Sequence, residues 1–238
     1  AAGTGALTIK ILQKFPKHPT LQTTVTITDF APGKITEARN KINSETEFQS
    51  TRKLFLVMDA QALSFEANAF THIGCMFGVM FFPDRQKALR EMHRVLQHNG
   101  VAVIGTWKHM DMVDIVTDFG QYLQLPHMEK NMAPVAEVVA ACSCEDALQE
   151  ELKVAGFRDV AVTSHEEFLY LPNDLETYNA VIGEAVLGPD GTGPGTAEEL
   201  FSQWRAFLSD PQGRQRWVSE SDGRIKIGFI ANIAVAKK

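Results

Sequence analysis

The sequence predicts an α/β protein, a doubly wound sheet of mainly parallel strands with helices on both faces. Three observations carry that prediction. The chain opens on Ala1-Ala2-Gly3-Thr4-Gly5-Ala6-Leu7-Thr8, two glycines one residue apart leading into a helix-like run of Ala6, Leu7, Ile9, Ile11 and Leu12. Lacking a Cβ, glycine lets a strand-to-helix turn fold tightly and lets a ligand press against the backbone. Two β-type runs then close on an acid: Thr23 to Thr28 on Asp29, and Leu54 to Met58 on Asp59. Finally, Asp84 to Leu96 carries one apolar stripe (Ala88, Leu89, Met92, Val95, Leu96), and Val101 to Trp107 alternates as a strand. Strand, helix and strand in that order argue for a parallel sheet covered on both sides.

The remaining elements follow in order. Phe15-Pro16-Lys17-His18-Pro19-Thr20 reads as a loop, because two prolines deny it a helix. Pro32-Gly33 leads into a helix over about residues 34–42, and Phe70 to Phe77 reads as a strand buried on both faces. Asn99-Gly100 ends the helix that starts at Asp84. From Lys108 to Ala141 the chain is rich in Met and apolar residues, contains Pro126 and Pro134, and has no strand signal, so a helical insertion is expected. Ser143 with Asp146 suggests a capping box for a helix to Ala155, closed by Gly156, with a strand from Asp159 to Leu169 after it. A second insertion holds helices near residues 175–187 and 197–208, separated by the loop Gly188 to Gly195. That loop lacks the Gly-Lys-Ser/Thr ending of a phosphate loop. Ile225 to Val235 alternates as a closing strand. The expected organisation is a core over residues 1–107, a helical lid over 108–142, a core helix and strand over 143–172, a second lid over 173–223 and a closing core strand over 224–238.

Composition narrows the function. A length of 238 residues with 45% hydrophobic content suffices for one α/β domain with elaborations. A net charge of −6 with scattered Lys and Arg argues against nucleic acid as the main partner. No apolar run reaches the roughly 20 residues of a membrane span, and no signal peptide is visible. The three cysteines, Cys75, Cys142 and Cys144, fit neither a zinc knuckle nor a disulfide framework. No metal is expected, and a reducing, cytoplasmic location is.

Asp29 falls near the distance of about 20 residues at which a nucleotide-binding α/β unit places an acid for ribose hydroxyls. A carboxylate suits the task because it accepts from both hydroxyls at once. Several stretches then stand together: the glycine turn, Thr28-Asp29-Phe30-Ala31, Met58-Asp59-Ala60-Gln61-Ala62-Leu63 and Phe77-Gly78-Val79-Met80-Phe81-Phe82-Pro83-Asp84. They continue into Ala88-Leu89-Arg90-Glu91-Met92-His93-Arg94-Val95-Leu96 and Asn99 to Trp107. In this order the chain resembles the class I S-adenosylmethionine-dependent methyltransferases, in particular the small-molecule branch related to the ubiquinone and menaquinone biosynthesis enzymes. The resemblance covers about the first half of the chain. It implies a Rossmann-like seven-stranded sheet whose last strand is antiparallel. The strand before the glycine turn lies mid-sheet in that fold, so the reading expects it, with an acidic residue, upstream of Ala1, and otherwise a gap between strands.

The resemblance also implies S-adenosyl-L-methionine as cofactor. Gly3 and Gly5, with Ala2 beside them, would approach its methionine and ribose parts. Asp29 would hold the ribose, Phe30 would lie against the adenine, and Asp59 would accept from the adenine amino group beside Ala60 and Gln61. Cys75 and Met76 would face the methionine moiety through backbone atoms. Family members tend to carry small or polar residues at those two positions, and an acid where Thr71 stands. Taken singly, Phe30, Met76 and Phe77 also suit simple packing.

The acceptor side is read from residue chemistry. His109, just past the strand ending at Trp107, is the candidate general base, against the plainer reading of a loop histidine. Met80, Trp107, Tyr122, His127, Tyr178 and Trp204 are the candidate pocket residues, though helix packing explains them equally well. A small, largely apolar acceptor and O-methylation are expected, and the lid insertions offer a surface for a homodimer. Three other readings stay open: a cofactor-bound enzyme catalysing cyclisation, dehydration or a pericyclic step without methylation, a nicotinamide-dependent oxidoreductase, and a non-catalytic partner subunit. Thr8 stands where the oxidoreductase pattern expects a third glycine.

Overall fold

The computed structural model describes residues 1–14, 23–48, 51–183, 186 and 194–238. The loop expected at 15–20 and residues 188–193 of the glycine-rich loop lie outside these. The chain divides into two compact units, Ala1–Thr106 with Glu145–Thr163 and Asn232–Lys238, and Trp107–Cys144 with Ser164–Ala231. The second unit takes in residues 164–172 and 224–231, which the sequence reading grouped with the core.

In the first unit, helix α1 (Ala6–Lys14) leaves the glycine turn and is followed by strand β1 (Thr24–Asp29). Helix α2 (Pro32–Ser44) starts on Pro32, whose missing N–H costs nothing at a helix's first turn. It buries Ile35, Ala38 and Ile42, one face at helical spacing. Strand β2 (Arg52–Val57) lies parallel to β1, with Thr24 opposite Arg52 and Asp29 opposite Val57. Strand β3 (Phe70–Met76) precedes helix α3 (Arg85–Val95), which Asp84 caps by accepting from the Lys87 amide at 2.8 Å. Buried Ala88, Leu89, Met92 and Val95 form its inner face, as its stripe predicts.

Strands β4 (Leu96–Met110), β5 (Arg158–Leu171) and β6 (Ile225–Lys237) are long, and helix α6 (Glu145–Val154) precedes β5. The six strands of the described residues form a two-stranded sheet, β1-β2, and a four-stranded sheet in the order β3-β4-β6-β5. β3 and β4 are parallel, with Ile73 opposite Ala102 and Met76 opposite Gly105. β6 runs the other way. Lys238, just past its end, donates to the Gly100 carbonyl and accepts from the Asn99 amide near the start of β4. Ile233 meanwhile lies against Gly105 further along β4. An antiparallel closing strand is what the sequence reading expected.

The glycine turn lies between the ends of β1 and β3. The Ala2 amide donates to the Thr28 carbonyl of β1 at 2.9 Å, and Ala1 lies against Gly78, just past β3. Leu7 of α1 packs on Gly74 of β3. This corrects one expectation: β3 is not buried on both faces, and Thr71, His72 and Gly74 are exposed. As an outer strand of its sheet, it is covered only where α1 and α3 reach it.

The second unit is helical around an aromatic core. Helices α4 (Asp111–Tyr122) and α5 (Pro126–Ala141) form the first insertion. The second holds the short helix α7 (Leu175–Tyr178), a π-helical turn over Asn179–Gly183, and helices α8 (Ala197–Ser209) and α9 (Pro211–Trp217). Thr196 and Glu199 form a reciprocal capping box on α8. Phe119, Tyr178, Trp204 and Trp217 are completely or almost completely buried, with Phe207 packed among them. Two further expectations change. β4 spans Leu96–Met110, so it starts directly after α3, takes in Asn99-Gly100 and runs past Trp107. The helix expected over 175–187 turns to π after one α-turn. No helix is long and apolar enough to cross a membrane among the described residues.

The glycine turn sets a stability prediction. Gly3 and Gly5 both have positive φ, +54° and +82°, but a Cβ on Gly3 meets nothing while one on Gly5 stands 2.9 Å from Ile42 Cδ1 and 3.3 Å from Ala38 Cβ. Gly5→Ala therefore combines backbone strain with overpacking and is expected to lose about 2–4 kcal/mol, against about 1 kcal/mol for Gly3→Ala. Urea unfolding of the two variants measures the gap.

Candidate functional site

The turn, the first two strand ends and the segment after β3 come together in the first unit. Positive φ at Gly3 points its amide into the Asp29 side chain, which accepts at 2.9 Å on Oδ2, while the Ala31 amide donates to Oδ1 at 3.0 Å. Burial raises the Asp29 carboxyl. The amides of Ala31 and Gly3 outweigh that and hold it below the ordinary carboxylate range. A carboxylate offers about four acceptor positions, so two remain for a ligand. Phe30, next in the chain, presents its ring at 76% exposure. A large apolar side chain left in water beside an anchored carboxylate is a stacking surface without an internal partner.

β2 ends alongside. The Met58 amide donates to the Asp29 carbonyl at 2.9 Å, so Asp59 leaves the sheet next to Asp29. Asp59 Oδ1 accepts from the Gln61 amide at 2.8 Å and from Gln61 Nε2 at 3.1 Å. Those bonds hold its carboxyl below the ordinary range. Gln61 Oε1 in turn accepts from the Asp84 amide at 3.0 Å, tying this loop to the cap of α3. Ala60 packs partly buried against the core beneath.

Past β3, Cys75 is buried, and burial pushes its thiol up, against opposing hydrogen bonds from Val79 and Gly78. This is a packed cysteine and not a reactive one. The Met76 side chain covers Gly105, and Phe77 sits at φ 57°, costly for a bulky residue, with its amide donating to the Gly105 carbonyl at 2.8 Å. Met80 is buried in the short 3₁₀ turn Val79–Phe81. The cofactor-site residues read from the sequence, Ala2 to Met76, thus lie in one unit, on the glycine turn and at or just past the ends of β1, β2 and β3.

The second unit gathers the others differently. Tyr122 and Tyr178 lie 6.4 Å and Trp204 5.1 Å from the Phe119 ring centroid. Tyr178 and Trp204 have no exposed surface, so they build this aromatic core instead of lining an open wall, and burial pushes the Tyr178 phenol up to about 12. Tyr122 keeps 46% of its surface exposed. Trp107 lies 5.5 Å from Phe229, which packs against that core. The side chain of His127 lies outside the described residues.

His109 has partners that the sequence reading did not name. Its Nε2 is 2.9 Å from Asp111 Oδ1 and 3.7 Å from Asp114 Oδ2. Asp111 Oδ2 accepts from the Gly228 amide at 2.7 Å, and Arg216 bridges Asp114 and Asp118 at 2.7 and 2.9 Å. The two aspartates suit the first turn of α4, where the helix dipole favours negative charge. The spacing of His109, Asp111 and Asp114 over a strand end and a helix start was the available signal. Three ligand atoms within 4.8 Å would also suit a cation, but Arg216 already supplies the positive charge to Asp114.

Comparison with known proteins gives the lineage. A family model described as the ubiE/COQ5 methyltransferase family matches residues 1–167. The methyltransferase tpcH of Aspergillus fumigatus is 24% identical over 176 residues, covering 72% of this chain and 60% of that protein. The demethylmenaquinone methyltransferase of Thermus thermophilus is 36% identical over 104 residues, 44% of this chain and 43% of that protein. The chain thus spans roughly half the length of these relatives. Among solved structures, phosphoethanolamine N-methyltransferase 2 of Haemonchus contortus, in complex with S-adenosyl-L-methionine, has a TM-score of 0.54 at 17% identity, covering 100% of this chain and 47% of that one. That likeness is one of fold. With the family model spanning well over half its length, and the glycine turn and strand-end acids inside the matched region, the chain belongs to the ubiE/COQ5 methyltransferase family.

Proposed function

We propose that this chain binds S-adenosyl-L-methionine at the glycine turn and transfers its methyl group to a small, largely apolar acceptor, with oxygen the first choice of receiving atom. One observation carries the reading. Two carboxylates leave adjacent parallel strands, and the first is anchored by the Gly3 amide while two acceptor positions stay available. That arrangement fits an adenosine, with hydroxyls to donate at one end and an amine at the other. The exposed ring of Phe30 fits the flat base.

When bound, this cofactor supplies a methyl group on a sulfonium, ready for in-line displacement. The chain's own residues bind and orient. Asp29 accepts from the ribose hydroxyls, and Phe30 lies along the adenine. Asp59 accepts from the amino group, and Gln61 keeps that carboxylate aimed by donating to it twice. The backbone of Gly3, Gly5, Cys75 and Met76 follows the rest of the molecule. On the acceptor side, His109 with Asp111 forms a dyad for taking a proton. With Nε2–H directed at Asp111, Nδ1 is the nitrogen that receives it.

The first test is binding. Titration calorimetry is expected to give heat with S-adenosyl-L-methionine and none with a nicotinamide dinucleotide, and the reverse would move the chain to redox chemistry. Mass spectrometry of converted acceptors should show the gain of one methyl group. A product isomeric with its substrate would favour the cyclisation reading instead.

Asp59→Asn turns an acceptor facing an amine partly into a donor and should weaken cofactor binding by about 1–3 kcal/mol, roughly 5- to 150-fold. Unchanged affinity would remove the adenine role from Asp59. Asp29 adds a pH dependence. Its folded-state pKa is depressed, so its contribution to stability is complete above its unfolded value of about 3.9 and is lost as pH falls through the lower folded value. In urea titrations from pH 7 to pH 3, Asp29→Asn is expected to flatten the acid limb of stability. An acid limb identical to wild type would show that this carboxyl titrates alike folded and unfolded.

A further inference from the structure

The loop between β2 and β3, residues 58–69, has no regular secondary structure, so its backbone groups need partners from elsewhere. α3 supplies them from both ends. At its N-terminus, the Asp84 amide donates to Gln61 Oε1. At its last turn, Arg94 donates from Nη2 to the Leu63 carbonyl and from Nη1 to the Phe65 carbonyl, each at 2.8 Å. Glu91 Oε2 accepts from the Leu63 amide at 2.8 Å. The two side chains also hold each other, Arg94 Nε to Glu91 Oε1 at 2.7 Å and Nη2 to Oε2 at 2.8 Å. Further along, the Asn68 amide donates to the Arg94 carbonyl at 3.1 Å, and Phe65 sits edge-on to Phe70 at 4.8 Å.

An exposed ion pair three residues apart on a helix stabilises by only a few tenths of a kcal/mol. This one differs in what it holds. The guanidinium fork reaches two loop carbonyls and a carboxylate together, which the single ammonium of a lysine cannot match in plane. The inner face of α3 is packed into the core by Leu89 and Met92, with Val95 also buried, so the fork stands on a rigid base. Asp59 stands only four residues before Leu63, with Gln61 between them bonded to both Asp59 and α3.

We propose that Arg94, with Glu91 as its partner, is the positioning residue that holds the 58–69 loop in the shape presenting Asp59, and so sets the adenosine affinity of the site. This rests on the reading of Asp59 as an adenine contact. Arg94 touches no ligand. It acts through the loop backbone.

The experiment combines hydrogen exchange of the full chain with calorimetry of S-adenosyl-L-methionine on Arg94→Lys, Glu91→Gln, Asp59→Asn and the double variant Arg94→Lys/Asp59→Asn. In Arg94→Lys, amides of residues 61–68 should exchange about tenfold faster while those of the α3 core keep their protection. Affinity should fall about 3- to 30-fold, and in the Asp59→Asn background the same change should cost less than about 2-fold, because both act through one contact. Glu91→Gln should show the same local pattern more weakly, which keeps the test usable if Arg94→Lys folds poorly. Unchanged loop exchange in both single variants overturns the proposal. So does an affinity loss that adds in full to that of Asp59→Asn, which a merely structural arginine would give. If Asp59→Asn binds like wild type while Arg94→Lys still loosens the loop, the adenine role is what has failed, and the affinity claim falls with it.

Discussion

The hydrogen bond from the Gly3 amide to the Asp29 carboxylate couples three features that are separate in the chain. It needs Gly3 in a left-handed conformation, because only then does the amide turn toward the end of β1. It also needs Asp29 to be the last residue of that strand, where a side chain clears the sheet edge. And it needs α1 to start immediately after, with Gly5 too close to Ala38 and Ile42 of α2 for any side chain. The Ala31 amide completes the arrangement from the other oxygen, so that the carboxylate is charged, oriented and still able to accept.

The second acid is held by a different device. Asp59 draws its partners from Gln61, two residues on, which reaches α3 with its other amide atom. One carboxylate is therefore fixed by the turn before it and the other by the helix after it. α3 serves both packing and positioning. Its apolar stripe fills the core, its cap accepts the Lys87 amide, and its last turn holds loop backbone that the sheet does not reach. Such economy is expected where a loop must be irregular enough to shape itself to a ligand yet ordered before the ligand arrives.

In the second unit, charge and aromatic packing are separated by a short distance along α4. Its first turn carries Asp111 and Asp114 and its second Asp118, met by His109, Arg216 and the Gly228 amide. Its far end inserts Phe119 among Tyr178, Trp204 and Phe207. The Trp217 indole links the two regions by donating to Asp118 Oδ2 at 3.1 Å while Arg216 stacks on its ring. Among the described residues, Tyr178 OH and Trp204 Nε1 have no hydrogen-bond partner. An unpaired buried polar group costs free energy, and neither ring is there for its polar atom. Both contribute surface to the core.

Much of the first unit was legible in residue order. Local signals carried it: glycines at a turn, β-type runs ending in acids and an apolar stripe at helical spacing. The exposure of β3 was not legible, because Phe70 to Phe77 is apolar enough for a buried strand and only the placement of α1 and of the sheet edges decides which residues meet water. The extension of β4 to Met110 escaped for a related reason, since Lys108 and His109 have no strand propensity of their own and are kept extended by their sheet neighbours. His109 was visible as a histidine, but the carboxylates that give it chemistry are brought in by the first turn of α4, and Arg216 arrives from about a hundred residues downstream. By itself the sequence determined the strand-end acids, the glycine turn and the helices whose period is unbroken, because each is set by neighbours within a few positions. Tertiary structure alone decided which amides hold those acids, which aromatic rings are sealed away, and which arginine grips the loop, because those are contacts between segments whose separation no local pattern records.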